Sequence, residues 1–92
     1  SQTKLYCWFD LDGAGFEMLN MIRQHYPNAK SFLMDKSTFL EHRNFVVKNV
    51  TKRKELRFLQ QDEQQMYDLL LANGERLEQE RISLSFVKTH IP

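Results

Sequence analysis

The sequence predicts an α/β fold: a small, mostly parallel sheet flanked by helices. Three observations carry that expectation. Two short apolar runs, KLYCWF at residues 4–9 and AKSFLM at residues 29–34, read as strands. Between them, FEMLNMIRQHY repeats apolar residues at helical spacing. A strand, a helix and a strand within about thirty residues form a βαβ unit, normally right-handed and parallel.

Each element has a local reason. KLYCWF has no polar alternation, so it is expected to be buried on both faces, as in a parallel sheet. DLDGAG is then the loop at its carboxyl end. In the helix that follows, Phe16, Leu19, Ile22 and Tyr26 share a face, with Glu17, Asn20 and Gln24 opposite. Pro27 ends it. Asp35 or Ser37 can cap a short helix containing Phe39, Leu40 and His42.

The middle of the chain changes character. KNVTKRKELR, residues 48–57, holds five basic residues and one acid without apolar period, and reads as a loop with a short edge strand. QQDEQQMYDLLLAN is the next helix, with Asp62 and Glu63 in its first turn and Gly74 just past its end. RLEQERI alternates, so Glu78 and Glu80 are expected to point the same way on an extended segment. Ser83 can cap a last short helix holding Leu84, Phe86 and Val87.

Composition narrows the functional classes. Ninety-two residues make one small domain, and 41% apolar residues, with seven Phe and one Trp, supply a core. A net charge of +1 creates no global field toward nucleic acid or membrane, so local patches must carry any such role. The single Cys7 excludes an internal disulfide framework and fits a reducing cytoplasm. No long uncharged apolar stretch is present to span a membrane. The opening SQTKLYCWF reads directly as structure, not as a signal peptide, and the chain is expected to be part of a larger protein.

The densest chemistry lies in WFDLDGAGF, where Asp10 and Asp12 stand one residue apart before Gly13 and Gly15. Ligands of open α/β sheets bind beyond the carboxyl ends of strands, where this loop falls. Gly13 and Gly15 let the chain turn and let a phosphate approach the helix start. Two carboxylates this close repel each other, and a divalent cation relieves that. Mg²⁺ suits them because it takes few carboxylates and keeps waters for a phosphate to displace. The bland alternative is that Asp10 caps the helix and Asp12 is a turn residue. Spacing alone favours neither.

Three resemblances bear on the choice. FDLDG resembles the opening D-x-D-G-T of the haloacid dehalogenase superfamily. That would make Asp10 the nucleophile and Asp12 the acid/base of a phosphatase. Ala14 stands where that family has Thr, and no later acidic pair follows a buried strand. DLDGAG also resembles the Toprim motif D-x-D-x-x-G, at Asp10, Asp12 and Gly15. The wider match is more specific. FDLDGAGFEMLNMIRQHYPNAKSFLMD, followed much later by RLEQERI, looks like the C-terminal domain of JetD proteins, over about residues 6–87. These are nuclease subunits of bacterial Wadjet anti-plasmid systems and are similar to the A subunit of type VI topoisomerases. This chain has Phe9 where the family usually has Gly, and Gly13 where Pro or Thr is frequent.

The JetD resemblance implies a partial Toprim (Rossmann-like) fold and Mg²⁺-dependent cleavage of double-stranded DNA, with Mn²⁺ as a substitute. It implies SMC-type defence subunits as partners, with a homodimer also among the expected assemblies. Asp10 and Asp12 would be the catalytic metal ligands. The family also needs a glutamate on an earlier strand, and residues 1–5 contain no acid. The chain is therefore expected to be a C-terminal fragment lacking its first strand, inactive when isolated. A phosphatase using Asp10 and a non-catalytic interaction module are the alternative functions.

Other candidates have functional and bland readings alike. Glu78 and Glu80 fall in the block marked by the resemblance and can complete the metal site, or they pair with Arg76 and Arg81 at the surface. Lys48, Lys52, Arg53, Lys54 and Arg57 can contact DNA phosphates, although a solvated charge run is the preferred account. His25, His42 and His90 lack zinc spacing, and His42 reads as a helix-surface residue. Cys7 reads as a small buried hydrophobe. Met18, Met21, Met34 and Met66, and the aromatics Tyr6, Trp8, Phe9 and Phe32, read as core or sheet-facing residues.

Overall fold

A computed structural model describes residues 3–92. The first strand, β1 (Tyr6–Cys7), runs through the Asp10–Asp12 loop into helix α1 (Gly13–His25). Strand β2 (Lys30–Ser31) then pairs parallel with β1, Tyr6 opposite Lys30 and Cys7 opposite Ser31. The main-chain N–H of Lys30 donates to Leu5 O at 2.9 Å, and that of Phe32 to Cys7 O at 2.8 Å. This is the βαβ unit, in the α/β class that the apolar runs predict.

The strands are shorter than those runs, and β1 is not buried on both faces. Cys7 is buried, whereas Leu5 and Tyr6 are 40% and 38% exposed. Among the described residues this sheet has two strands, and the outward side of β1 stays partly exposed. After β2 the chain passes through Leu33, held at φ 54 and buried, and enters α2 (Lys36–Glu41). Asp35 caps α2, accepting from the Thr38 N–H at 2.9 Å.

A 3₁₀ turn (Arg43–Phe45) leads to β3 (Val47–Lys48), which pairs antiparallel with β4 (Glu75–Arg76). The short strand expected in the basic segment overlaps it only at Lys48, and the remainder, residues 49–57, is the expected loop. Between these strands lies α3 (Gln61–Asn73), which ends at Gly74 with φ 61. That left-handed conformation suits glycine, and the Gly74 N–H satisfies the last helical carbonyls. Leu77 joins the two strand pairs, exchanging main-chain hydrogen bonds with Leu11 at 2.9 and 3.0 Å. A second 3₁₀ turn (Gln79–Arg81) and α4 (Leu84–His90), capped by Ser83, complete the chain.

The core lies between α1, α3 and the strand ends. Phe16 meets Tyr67 edge-to-face at 6.2 Å, and Leu11, Leu19, Leu70 and Leu77 close around them. The buried stripe of α1 is Phe16, Leu19 and Arg23, while Tyr26 is 62% exposed. Arg23 replaces the expected Tyr26 because its guanidinium finds a full set of partners inside. It donates to Ala29 O, to Phe58 O and to both carboxylate oxygens of Glu63. Glu63 also accepts from the Ser31 hydroxyl and the Gln60 N–H, so this buried pair ties α1, β2 and α3 together.

Other sequence expectations change as well. Met18 and Met21 sit on the solvent side of α1, and only Met34 and Met66 are core residues. His42 is buried rather than on a helix surface. Its Nδ1 pairs with Thr38 O at 2.9 Å, so it carries the proton, and its Nε2 accepts from the Ser83 N–H at 3.3 Å. Phe86 packs edge-to-face on the imidazole, which anchors α4 to α2.

Candidate acidic site at the end of the first strand

The acidic loop is held by contacts far apart in sequence. Leu11 is pinned to Leu77, which fixes Asp10 and Asp12 on either side of it. Asp12 is the N-cap of α1, its Oδ1 accepting from the Gly15 N–H at 2.7 Å. The bland sequence alternative had the roles reversed: Asp12 caps, and Asp10 does not. Asp10 Oδ1 instead accepts from the Gln79 N–H at 2.7 Å. Each carboxylate therefore has one oxygen tied to the main chain and one left to face its neighbour.

Those two remaining oxygens share one partner. Arg76 Nη2 lies 3.1 Å from Asp10 Oδ2 and 3.3 Å from Asp12 Oδ2. Glu78 Oε2 is 4.0 Å from the same nitrogen. Arg76 is thus not an ordinary surface partner of Glu78 but the cation at the centre of an acidic cluster. Its Nε is buried and has no hydrogen-bond partner among the described residues. Among those residues no group of three or more acids, histidines or cysteines is arranged to hold a metal ion.

Gly15 is required by this geometry. A Cβ there would lie 2.0 Å from the Asp10 carbonyl oxygen, a main-chain atom that cannot swing aside. The strand end therefore packs directly onto the first turn of α1, which sets the distance between Asp10 and the helix start. Over Gly13 the neighbour is the Thr51 side chain, so the basic segment also reaches the helix N-terminus.

Asp10 and Gln79 form a wall between two clefts. One, of about 490 Å³, is lined by Asp12, Gly15, Asn49, Thr51 and Arg76. The other, of about 470 Å³, is lined by Trp8, Glu80, Ile82, Leu84 and Val87. This separates Glu78 from Glu80. Glu78 is still extended, and the 3₁₀ turn that follows it carries Glu80 into the second cleft. The expected common direction of Glu78 and Glu80 on an extended segment does not occur.

The basic residues are spread around the site rather than gathered in it. Lys48 lies on β3, and Lys52 follows Thr51 at the cleft mouth; neither makes an ion pair among the described residues. Arg53 pairs with Asp68 at 2.7 Å, Lys54 with Glu17 at 3.0 Å and Arg57 with Glu55 at 3.8 Å. These pairs are exposed and contribute little to stability. Gln79, Asn49 and Thr51 are site-lining residues that sequence reasoning missed. Their only signal was proximity to Glu78 and to the basic run.

The fold is an α/β domain in which Asp10 and Asp12 lie in the loop between a parallel strand and a glycine-bounded helix start, the end of the strands at which open α/β sheets bind their ligands. The family model for the C-terminal domain of Wadjet protein JetD matches residues 1–91, and the chain belongs to that family. It is thereby a component of a Wadjet system. Among curated proteins none matches the chain. No helix among the described residues is long and apolar enough to cross a membrane.

Proposed function

We propose that this chain is the Toprim-like catalytic part of an anti-plasmid DNA nuclease, with Asp10 and Asp12 as its Mg²⁺ ligands. The observation that supports this most is the convergence of Asp10 Oδ2 and Asp12 Oδ2 on a single cationic atom. Two hard oxygens at a strand end match the protein share of a Mg²⁺ site, which leaves its other positions to water and phosphate. A bound Mg²⁺ or Mn²⁺ supplies Lewis-acid activation of a phosphodiester there.

The chain's own residues do the positioning. The Gly15 and Gln79 N–H groups each hold one oxygen of a carboxylate and aim the other inward. The α1 N-terminus adds partial positive charge that favours a DNA phosphate at the cleft. Lys48 and Lys52 contact neighbouring phosphates without reading sequence, while Arg53, Lys54 and Arg57 contribute as their surface partners release them. Glu78 is the candidate third acid in preference to Glu80, since it already approaches the shared cation. Double-stranded DNA and the SMC-type subunits of the defence system are the partners on this reading.

The test is plasmid cleavage in Mg²⁺ by a full-length JetD protein carrying this domain. Asp10→Asn and Asp12→Asn remove a charge but keep a side-chain acceptor, so the amide introduced by Asp12→Asn still caps α1. Each is expected to abolish cleavage while leaving the thermal midpoint within a few degrees. Cleavage at wild-type rates by both variants would overturn the reading.

A further inference from the structure

Arg76 is the residue for which the cluster as it stands leaves the most to explain. Its Nη2 meets Asp10 Oδ2, Asp12 Oδ2 and Glu78 Oε2 at 3.1, 3.3 and 4.0 Å. Three carboxylates around one guanidinium leave an excess of negative charge when all are ionised. Arg76 Nε is also buried without an acceptor, so the guanidinium gives up a hydrogen bond to hold this position. The side chain is still 30% exposed and opens onto the cleft beside Asn49 and Thr51, so it has somewhere to go.

We propose that Arg76 is an internal counter-ion that competes with the divalent cation for Asp10 and Asp12. This rests on the metal-site reading above and deepens it. In the metal-free domain the guanidinium stands in for the ion, neutralising the pair and keeping both carboxylates aimed at one point. A divalent cation must displace it, because two cations cannot share Asp10 Oδ2 and Asp12 Oδ2 at these distances. The displaced guanidinium keeps its anchorage on β4 and gains access to an anionic acceptor in the cleft, which for a DNA-cleaving domain is a phosphate. Arg76 is therefore a positioning residue that makes metal occupancy and phosphate occupancy favour each other.

The experiment is Mn²⁺ binding by calorimetry to the 92-residue chain, its Arg76→Gln and Arg76→Lys variants, and Asp10→Asn combined with Arg76→Gln. Removing a positive charge a few ångströms from the ion is expected to tighten Mn²⁺ binding at least about tenfold in Arg76→Gln. Arg76→Lys keeps a charge and should stay within about threefold of wild type. The combined variant should lose the site. Circular dichroism checks that each variant is folded, and Arg76→Met replaces Arg76→Gln if that variant is not. If wild type binds at Asp10 but loss of the Arg76 charge leaves affinity unchanged or weaker, the counter-ion role is wrong and the metal site stands. If neither wild type nor the charge-removed variant binds, both readings fall.

Discussion

Glu63→Gln isolates a buried long-range ion pair, Arg23–Glu63. The substitution keeps the shape of the side chain and removes its charge. It leaves the Arg23 guanidinium, whose side chain is 6% exposed, without a counter-ion. Removing one partner of a buried pair costs about 3–5 kcal/mol. Arg23 retains Ala29 O and Phe58 O as acceptors, which places the expected loss near the lower end, about 3 kcal/mol. Against a total stability of roughly 5–14 kcal/mol for a chain of 92 residues, that is a large fraction. Urea unfolding followed by circular dichroism should show a lower midpoint with an unchanged slope. The same pair sets an acid dependence. Burial pushes the Glu63 carboxyl up, but hydrogen bonds from Arg23, the Gln60 N–H and Ser31 outweigh it, so it titrates below the usual glutamate range. Its stabilising contribution is then complete above the unfolded-state value of about 4.3 and is lost as pH falls through the lower folded-state value. Glu63→Gln should flatten the stability profile in that window. A loss under about 1 kcal/mol with an unchanged acid profile would show a solvated pair and refute this account of the core.

Other expectations follow from single contacts. Gly15→Ala places a methyl 2.0 Å from Asp10 O, and should lower urea stability by about 1–3 kcal/mol while shifting the Asp10 amide signal; a neutral result would contradict the close packing. Cys7 is 3% exposed, and burial pushes its thiol up, so alkylation at neutral pH should be slow in the native chain and fast in urea. Rapid native alkylation would mean that β1 opens readily. Beryllium fluoride, a mimic of an aspartyl phosphate, should form no stable adduct at Asp10; a stoichiometric adduct would favour the phosphatase alternative.

Local signals in the sequence carried most of the fold. The caps at Asp35 and Ser83, the stop at Gly74 and the strand–helix–strand order are decided within a few residues and appear where expected, whereas the strands are shorter than the apolar runs and the buried face of α1 turns to Arg23 instead of Tyr26. The misplaced residues depend on distant partners. The burial of Arg23 in place of Tyr26 depends on Glu63, 40 positions away. The β3–β4 pairing joins two-residue strands across α3, too short for a periodic signal. The candidate site divides the same way. Asp10, Asp12 and Gly15 are neighbours in the sequence and stay together in the structure, whereas the positions taken by Glu78 and Glu80 depend on a 3₁₀ turn that alternation does not reveal. Arg76 looked like a surface partner because charge counting cannot show that 66 residues of chain return it to Asp10.

On the proposed reading, Asp10 and Asp12 form one specific seat for a divalent cation. The most direct measurement is a Mg²⁺ titration of the 92-residue chain followed by its amide NMR signals. Saturable shifts are expected to appear first at residues 10–15 and 76–79 and to vanish in Asp10→Asn. Weak, uniform shifts at all acidic residues, unaffected by that substitution, would contradict it.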